Sequence, residues 1–135
     1  MQLQLVEVRP PYDYKAVFKD SAKKKADAMM VLSSPNTYVA RNQIAKLALQ
    51  YRLPTICQTD PLVRAGGLIS YGPDLIATFG RTAYFVDRVL KGASPASLPI
   101  EQPTQYFLVV NLKTAKVLSI MIPESILLRA DEVIR

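Results

Sequence analysis

The sequence predicts an α/β fold: a doubly wound, mostly parallel sheet with flanking helices. Short apolar runs, of which residues 26–32 and 55–58 are the clearest, are typical of buried parallel strands. Amphipathic stretches with helical spacing separate these runs, so that strand and helix alternate along the chain. The connections are a few residues long, which fits the right-handed crossovers of such sheets.

The first half of the chain predicts strands separated by two helices. Residues 2–8 alternate polar and apolar side chains, which predicts a strand that ends at Pro10-Pro11. Asp13 can cap a helix that runs to about Ala22. Ser34 is the predicted N-cap of a second helix, with Pro35 at its first position and buried apolar residues as far as Tyr51. Further strands are predicted over residues 26–32, 55–58 and 68–71.

The second half predicts a long helix over residues 73–90, which Gly92 ends. Residues 93–103 hold three prolines and predict an exposed, extended connection. The remaining predicted elements are a strand over residues 106–110, a helix over 112–118 capped by Asn111, a helical turn from Pro123 to Leu128, and a last short strand over 132–134.

Composition disfavours several classes of enzyme. The chain has 135 residues, which suits one domain, and it contains no histidine. Histidine is the commonest general base and transition-metal ligand, so its absence disfavours a hydrolase or a zinc site. Cys57 is the single cysteine, and its setting is more typical of a buried strand than of a nucleophile. We therefore predict no catalytic residue, no metal, no cofactor and no enzymatic activity.

The net charge of +6 is concentrated in the first half, where residues 1–67 carry ten Lys/Arg against five Asp/Glu. A nucleic-acid interface needs a basic face combined with aromatic residues or a docking motif, and neither is present. We interpret the basic cluster as the solvated face and C-terminal end of the first helix, and we predict no nucleic-acid partner. The cluster comprises Lys15, Lys19, Lys23, Lys24 and Lys25.

The candidate ligand-binding residues lie in three loops. Parallel α/β sheets bind ligands outside the carboxyl ends of their strands, which places residues 33–37, 58–64 and 70–74 at the site. The first loop offers hydroxyls and free backbone N–H groups at a helix start, although plain capping explains the same residues. The predicted ligand-binding residues are Ser33, Ser34, Asn36, Thr37, Gln58, Thr59, Asp60, Tyr71, Gly72 and Asp74.

Three of these residues have specific expected roles. Gly72 permits a close backbone approach, and Tyr71 offers a ring and a hydroxyl. Asp74 can accept hydrogen bonds from an ammonium group. The alternative is that residues 70–74 form only a strand-to-helix turn, with Asp74 in the first helical turn.

An ordered series of segments gives the strongest indication of function. The series comprises GGLISYGPD at residues 66–74, LPIEQP at 98–103, VVNLKTAK at 109–116, IP at 122–123 and LLRADEVI at 127–134. Taken together it resembles the C-terminal part of bacterial ABC-transporter substrate-binding proteins, the tryptophan/tyrosine-type solute receptors. Ser119 departs from the pattern, since the family often has glycine at that helix end.

The resemblance implies a type I periplasmic-binding-protein architecture, in which two α/β lobes close on a small solute. Residues 1–72 then resemble the C-terminal lobe, and residues 73–135 supply a crossover helix and closing segments, with the N-terminal lobe absent. The helix over 74–90 and the strand over 106–110 are expected to pack on the other lobe. Without that lobe their apolar faces lack a partner, so we expect a homo-oligomer with swapped segments.

The function implied by the resemblance is the substrate-binding component of an ABC importer, truncated here, which delivers an aromatic or other amino acid to an ABC permease. Such receptors are periplasmic or otherwise extracytoplasmic. The first residues lack a secretory signal, so the chain as written is expected to stay in the cytoplasm. Two alternatives remain open: a cytoplasmic ligand-sensing or interaction domain of the same fold, and an α/β enzyme such as a receiver or nucleotide-binding domain.

Overall fold

The computed structural model describes residues 2–135 and contains a five-stranded mixed sheet. The strands are β1 (Met29–Val31), β2 (Thr55–Cys57), β3 (Ile69–Pro73), β4 (Tyr106–Asn111) and β5 (Glu132–Ile134). Their spatial order follows the chain. The pairs β1–β2, β2–β3 and β4–β5 are parallel, and β3–β4 is antiparallel. The predicted α/β class with a mostly parallel sheet is confirmed.

The helices are α1 (Tyr14–Lys23), α2 (Pro35–Val39), α3 (Arg41–Gln50), α4 (Pro61–Arg64), α5 (Leu75–Leu90), α6 (Leu112–Leu118) and α7 (Glu124–Leu127). A single 3-10 turn, Pro95–Ser97, interrupts the proline-rich connection after α5. Within residues 2–135, none of these helices combines the length and apolar character needed to cross a bilayer.

The main core lies between the sheet and the helices α1, α3 and α4. Phe18 of α1 and Ile44 of α3 are almost fully buried, as is Val109 of β4. The ring of Phe18 stacks on Tyr51 with 6.5 Å between centroids. Cys57 of β2 is buried in the same cluster, as the sequence predicts for a small apolar residue in a strand.

Helix caps explain several boundaries. The side chain of Asp13 accepts a hydrogen bond from the backbone N–H of Ala16 and so caps α1. Asn111 caps α6 in the same way, through the N–H of Thr114. The sequence predicts both caps. Ser119 ends α6 with φ of +60°, a left-handed conformation that glycine adopts without strain.

Two sequence predictions for the first half are wrong. Residues 2–8 form no strand; Leu3 and Leu5 are more than four-fifths exposed, because no neighbouring strand pairs with this segment. The helix predicted from Ser34 to Tyr51 is two helices. The backbone of Ala40 leaves α-helical geometry, with φ of −82° and ψ of 5°, and separates α2 from α3.

Two further predictions need correction in the second half. The long helix begins at Leu75 rather than Pro73, because Pro73 pairs with Tyr106 in the sheet and Asp74 is the N-cap. The resemblance implies that the strand over 106–110 packs on another lobe. Instead it is β4 of this sheet and pairs along its length with β3, which buries Val109 and Val110 completely.

Helix α5 stands apart from the core, since none of its residues is buried. It is tied to the following connection by Arg81, whose guanidinium donates two hydrogen bonds of 2.6 Å to Glu101. This ion pair lowers the pKa of the Glu101 carboxyl below its usual value. The exposed apolar face of α5 comprises Leu75, Ile76, Phe79, Val86, Val89 and Leu90.

Candidate functional site

A pocket of ≈ 230 Å³ lies at the edge of the sheet where the parallel strands β2 and β3 end. The loop after β2 forms one side, and the turn from β3 into α5 forms the other. The structure thereby brings together five predicted site residues: Gln58, Thr59, Asp60, Gly72 and Asp74. It adds residues that the sequence analysis did not select as ligand-binding, of which Arg64, Ser70 and Phe107 have the most to contribute.

Gly72 is the point at which the two sides of the pocket touch. A Cβ atom built on it would lie 2.8 Å from the carbonyl carbon of Gln58 and still closer to the carbonyl oxygen. The close approach expected of this glycine is therefore made by the Gln58 backbone. Because only glycine fits, the loop after β2 can rest directly on β3.

Arg64 of α4 joins the loop after β2 to the distant strand β5. Its Nε donates to Asp60 at 2.6 Å, and its two terminal nitrogens donate to the two carboxylate oxygens of Glu132 at 2.9 and 2.6 Å. These hydrogen bonds raise the pKa of the Arg64 guanidinium above its already high value. The Arg64 guanidinium is therefore always charged, and its donors are already hydrogen-bonded to two carboxylates.

Ser70 of β3 is the unusual polar residue of the pocket. It is 1% exposed, and its Oγ has no hydrogen-bond partner among residues 2–135. In the sheet register it lies between Cys57 and Val109, both of which are buried. An unpaired hydroxyl in such surroundings costs roughly 1–3 kcal/mol. A side chain that lowers stability in this way is a candidate for contact with a ligand.

Asp74 serves two purposes at the start of α5. Its Oδ1 accepts hydrogen bonds from the N–H groups of Ile76 and Ala77, at 2.8 and 3.1 Å, and so caps the helix. The residue also lines the pocket. Capping thus uses one carboxylate oxygen of Asp74, and the other oxygen is available to a solute.

The first predicted loop lies beside the pocket and does not line it. Ser34 and Thr37 form a reciprocal capping box at the start of α2, and Asn36 donates to the Tyr12 hydroxyl at 3.0 Å. Ser33 connects this loop to the pocket: its N–H donates to Gln58, and its hydroxyl lies 3.2 Å from that of Thr59. The capping interpretation accounts for Ser34 and Thr37, while Ser33 positions the pocket wall.

Tyr71 does not line the pocket. Successive residues of a strand point to opposite faces, so Tyr71 lies on the other side of the sheet from Ser70 and Gly72. It is 55% exposed and stacks on Tyr106, with 5.5 Å between ring centroids. A solute in this pocket would therefore not reach the Tyr71 ring.

The thiol of Cys57 is inert in this setting. It donates a hydrogen bond to the carbonyl oxygen of Thr59 at 3.1 Å. Burial raises its pKa to about 11, so the reactive thiolate is scarce at neutral pH. Among residues 2–135, the cysteine and carboxylate side chains form no group of three or more that could hold a metal ion.

An α/β sheet with a pocket at the carboxyl edge of its parallel strands defines a class, the small-molecule-binding α/β domains. A family profile described as "ABC transporter substrate binding protein" matches residues 2–134. The chain belongs to that family, whose members are solute-binding receptors and normally extracytoplasmic. The resemblance drawn from the sequence is thereby confirmed.

Solved structures agree with this assignment. A conserved domain protein from Vibrio cholerae O1 biovar El Tor is 28% identical, with a TM-score of 0.81 over 90% of this chain. An ABC domain from Streptococcus pneumoniae in complex with L-Trp is also 28% identical, with a TM-score of 0.80 over 89%. A ligand-free, open substrate-binding protein with adhesive properties from Clostridium difficile shares the fold at 18% identity and a TM-score of 0.65, again over 89% of this chain.

The present chain spans 40% of the length of each of these three structures. A comparison with curated protein sequences gives no significant match.

Proposed function

We propose that this chain forms one wall of the solute-binding cleft of an ABC importer's substrate-binding component, and that the solute is a small molecule such as an aromatic amino acid. The observation that carries the proposal is the meeting of residues 58–60 with residues 72–74 around a pocket at the carboxyl edge of the parallel strands. Family membership and the L-Trp-bound neighbour support the choice of solute class.

In this proposal the protein is a receptor and not an enzyme. It acts outside the cytoplasm, where it delivers its solute to a membrane permease. Residues 1–72 form most of the lobe that carries the pocket. Residues 73–135 supply the crossover helix, the closing strands and the remaining pocket residues, among them Asp74 and Phe107. The opposite wall of the cleft comes from a second lobe that these 135 residues do not supply.

Thermal unfolding of the purified chain with each of the twenty amino acids tests the proposal. A ligand that binds only the folded state stabilises it by about 2.7 kcal/mol at a hundredfold excess over its dissociation constant. We expect an aromatic amino acid to raise the melting temperature of the wild type. Asp60→Ala should reduce that shift, whereas Asn36→Ala, outside the pocket, should keep it. No shift with any amino acid would contradict the proposal.

We also propose that the chain self-associates through α5, with segments exchanged between copies. Phe79 is 72% exposed and Leu90 is 82% exposed, and no described residue of α5 is buried. Covering such a face is favoured by about 25 cal/mol per Å² of apolar area. Sedimentation velocity should show a dimer or larger species at tens of micromolar, and Phe79→Lys should shift it toward the monomer. A wild-type monomer at that concentration would refute this arrangement.

A further inference from the structure

The charge of the pocket distinguishes between the two ends of an amino acid. Asp60 and Asp74 line the pocket, and Arg64 is the cation among its described lining residues. Arg64 is already bonded to Asp60 and Glu132. The pocket and the ion pair beside it therefore hold three carboxylates against one guanidinium, and the region is net negative. A negative region disfavours a bound carboxylate and favours a cation.

Free acceptor atoms are also present. Arg64 donates to Oδ2 of Asp60, and two backbone N–H groups donate to Oδ1 of Asp74. The other oxygen of each carboxylate has no donor among residues 2–135. The positive end of the α5 dipole, roughly half an elementary charge, offsets only part of the Asp74 charge, so the region remains negative.

Ser70 supplies an independent indication of a ligand. Ser70 lines the same pocket, and its Oγ is buried and lacks a partner among the described residues. A hydroxyl oxygen can accept a hydrogen bond, and an ammonium group has three N–H donors. Leu75, Ile76 and Phe107 also line the pocket, and they are the apolar residues available to the body of a solute.

We propose that this pocket recognises the ammonium group of its solute, with the carboxylates of Asp60 and Asp74 as counter-charges and Ser70 Oγ as a further acceptor. The ligand class is a primary amine with an apolar body. An aromatic amino acid fits through its α-ammonium group, and its own carboxylate makes no necessary contact with this wall. The inference rests on the proposed function, because it specifies what that same pocket binds.

Four probes test this by calorimetric titration of the full chain: L-tryptophan, tryptamine, indole-3-propionate and phenethylamine. Tryptamine lacks only the carboxylate, and indole-3-propionate lacks only the ammonium group. We expect tryptamine to bind within about tenfold of L-tryptophan, and indole-3-propionate to bind at least about thirtyfold more weakly, because a charge-assisted hydrogen bond is lost.

The outcomes separate the inference from the proposed function. Binding of L-tryptophan and indole-3-propionate without tryptamine would overturn the ammonium site and leave the receptor function standing. If phenethylamine binds and L-tryptophan does not, the amine site stands, but an aromatic amino acid is excluded as the solute. Failure of all four probes would overturn both.

Variants distinguish ligand contact from a structural role. Asp74→Asn keeps an oxygen that can cap α5 but removes the charge, so tryptamine affinity should fall roughly tenfold or more while the melting temperature stays close to the wild type. Ser70→Ala removes an unpaired buried hydroxyl, so the unliganded variant should be at least as stable as the wild type. Its affinity for tryptamine should nevertheless fall. Ser125→Ala in α7 is the matched control and should change neither. If Asp74→Asn and Ser70→Ala both kept the wild-type affinity for tryptamine, the ammonium site would be refuted.

Discussion

Gly72→Ala is the substitution whose consequence follows most directly from the geometry of the pocket. The added Cβ would meet the carbonyl group of Gln58, 2.8 Å from its carbon and nearer to its oxygen, a separation that real Cβ atoms do not show. The obstacle is backbone, so no side-chain rotation relieves it. Either β3 or the loop after β2 must move. Overpacking of this kind costs roughly 1–3 kcal/mol.

The same movement should weaken ligand binding. Gln58 accepts the hydrogen bond from Ser33 and leads directly into Thr59 and Asp60, which form the pocket wall. We therefore expect Gly72→Ala to lower both the free energy of unfolding and the affinity for solute. Urea denaturation gives the first quantity, and titration of the folded variant gives the second.

Gly80→Ala is the matched control. Nothing lies within 4 Å of the position that its Cβ would occupy, in the middle of α5. Alanine is the better helix former, so this variant should gain about 0.5–1 kcal/mol. If Gly72→Ala also proved neutral or stabilising, the close contact between β3 and the Gln58 backbone would be refuted.

Three further predictions concern stability and reactivity. Phe18→Ala should cost about 3–5 kcal/mol in urea denaturation, because Phe18 is 1% exposed; a loss below 1 kcal/mol would contradict the core. Ser119→Gly should gain about 0.5–1 kcal/mol by relieving the left-handed conformation at the end of α6, whereas Ser119→Ala should not. Burial raises the pKa of the Cys57 thiol to about 11, so the thiol's contribution to stability is complete below about pH 9 and is lost as the pH rises through 11. Iodoacetamide should therefore alkylate the folded chain slowly at pH 8. Rapid alkylation at that pH would refute the burial of Cys57.

Local signals in the sequence predict most of the fold. Caps at Asp13 and Asn111 depend on residues three positions away, so the sequence alone reveals them. The strand predicted over residues 2–8 fails for the opposite reason. Alternating side chains favour a strand, but a strand also needs a partner backbone, and the pattern within one segment carries no information about a partner.

The candidate site is predicted less completely, because its key residues meet through tertiary structure. The loop positions of Asp60 and Asp74 follow from the rule that parallel strands bind ligands at their carboxyl ends. Arg64 lies in the predicted loop over 58–64, but its pairing with Glu132, 68 residues away, depends on the tertiary structure. Ser70 is notable only because the sheet register places it between Cys57 and Val109, and neither local composition nor spacing encodes that register.

The most direct test of the account is calorimetric titration of L-tryptophan into the purified 135-residue chain, with circular dichroism to verify that the chain is folded. The account predicts saturable binding that Gly72→Ala weakens and that Gly80→Ala leaves intact. A folded chain that binds neither L-tryptophan nor tryptamine at millimolar concentration would contradict the claim that this pocket is part of a solute-binding cleft.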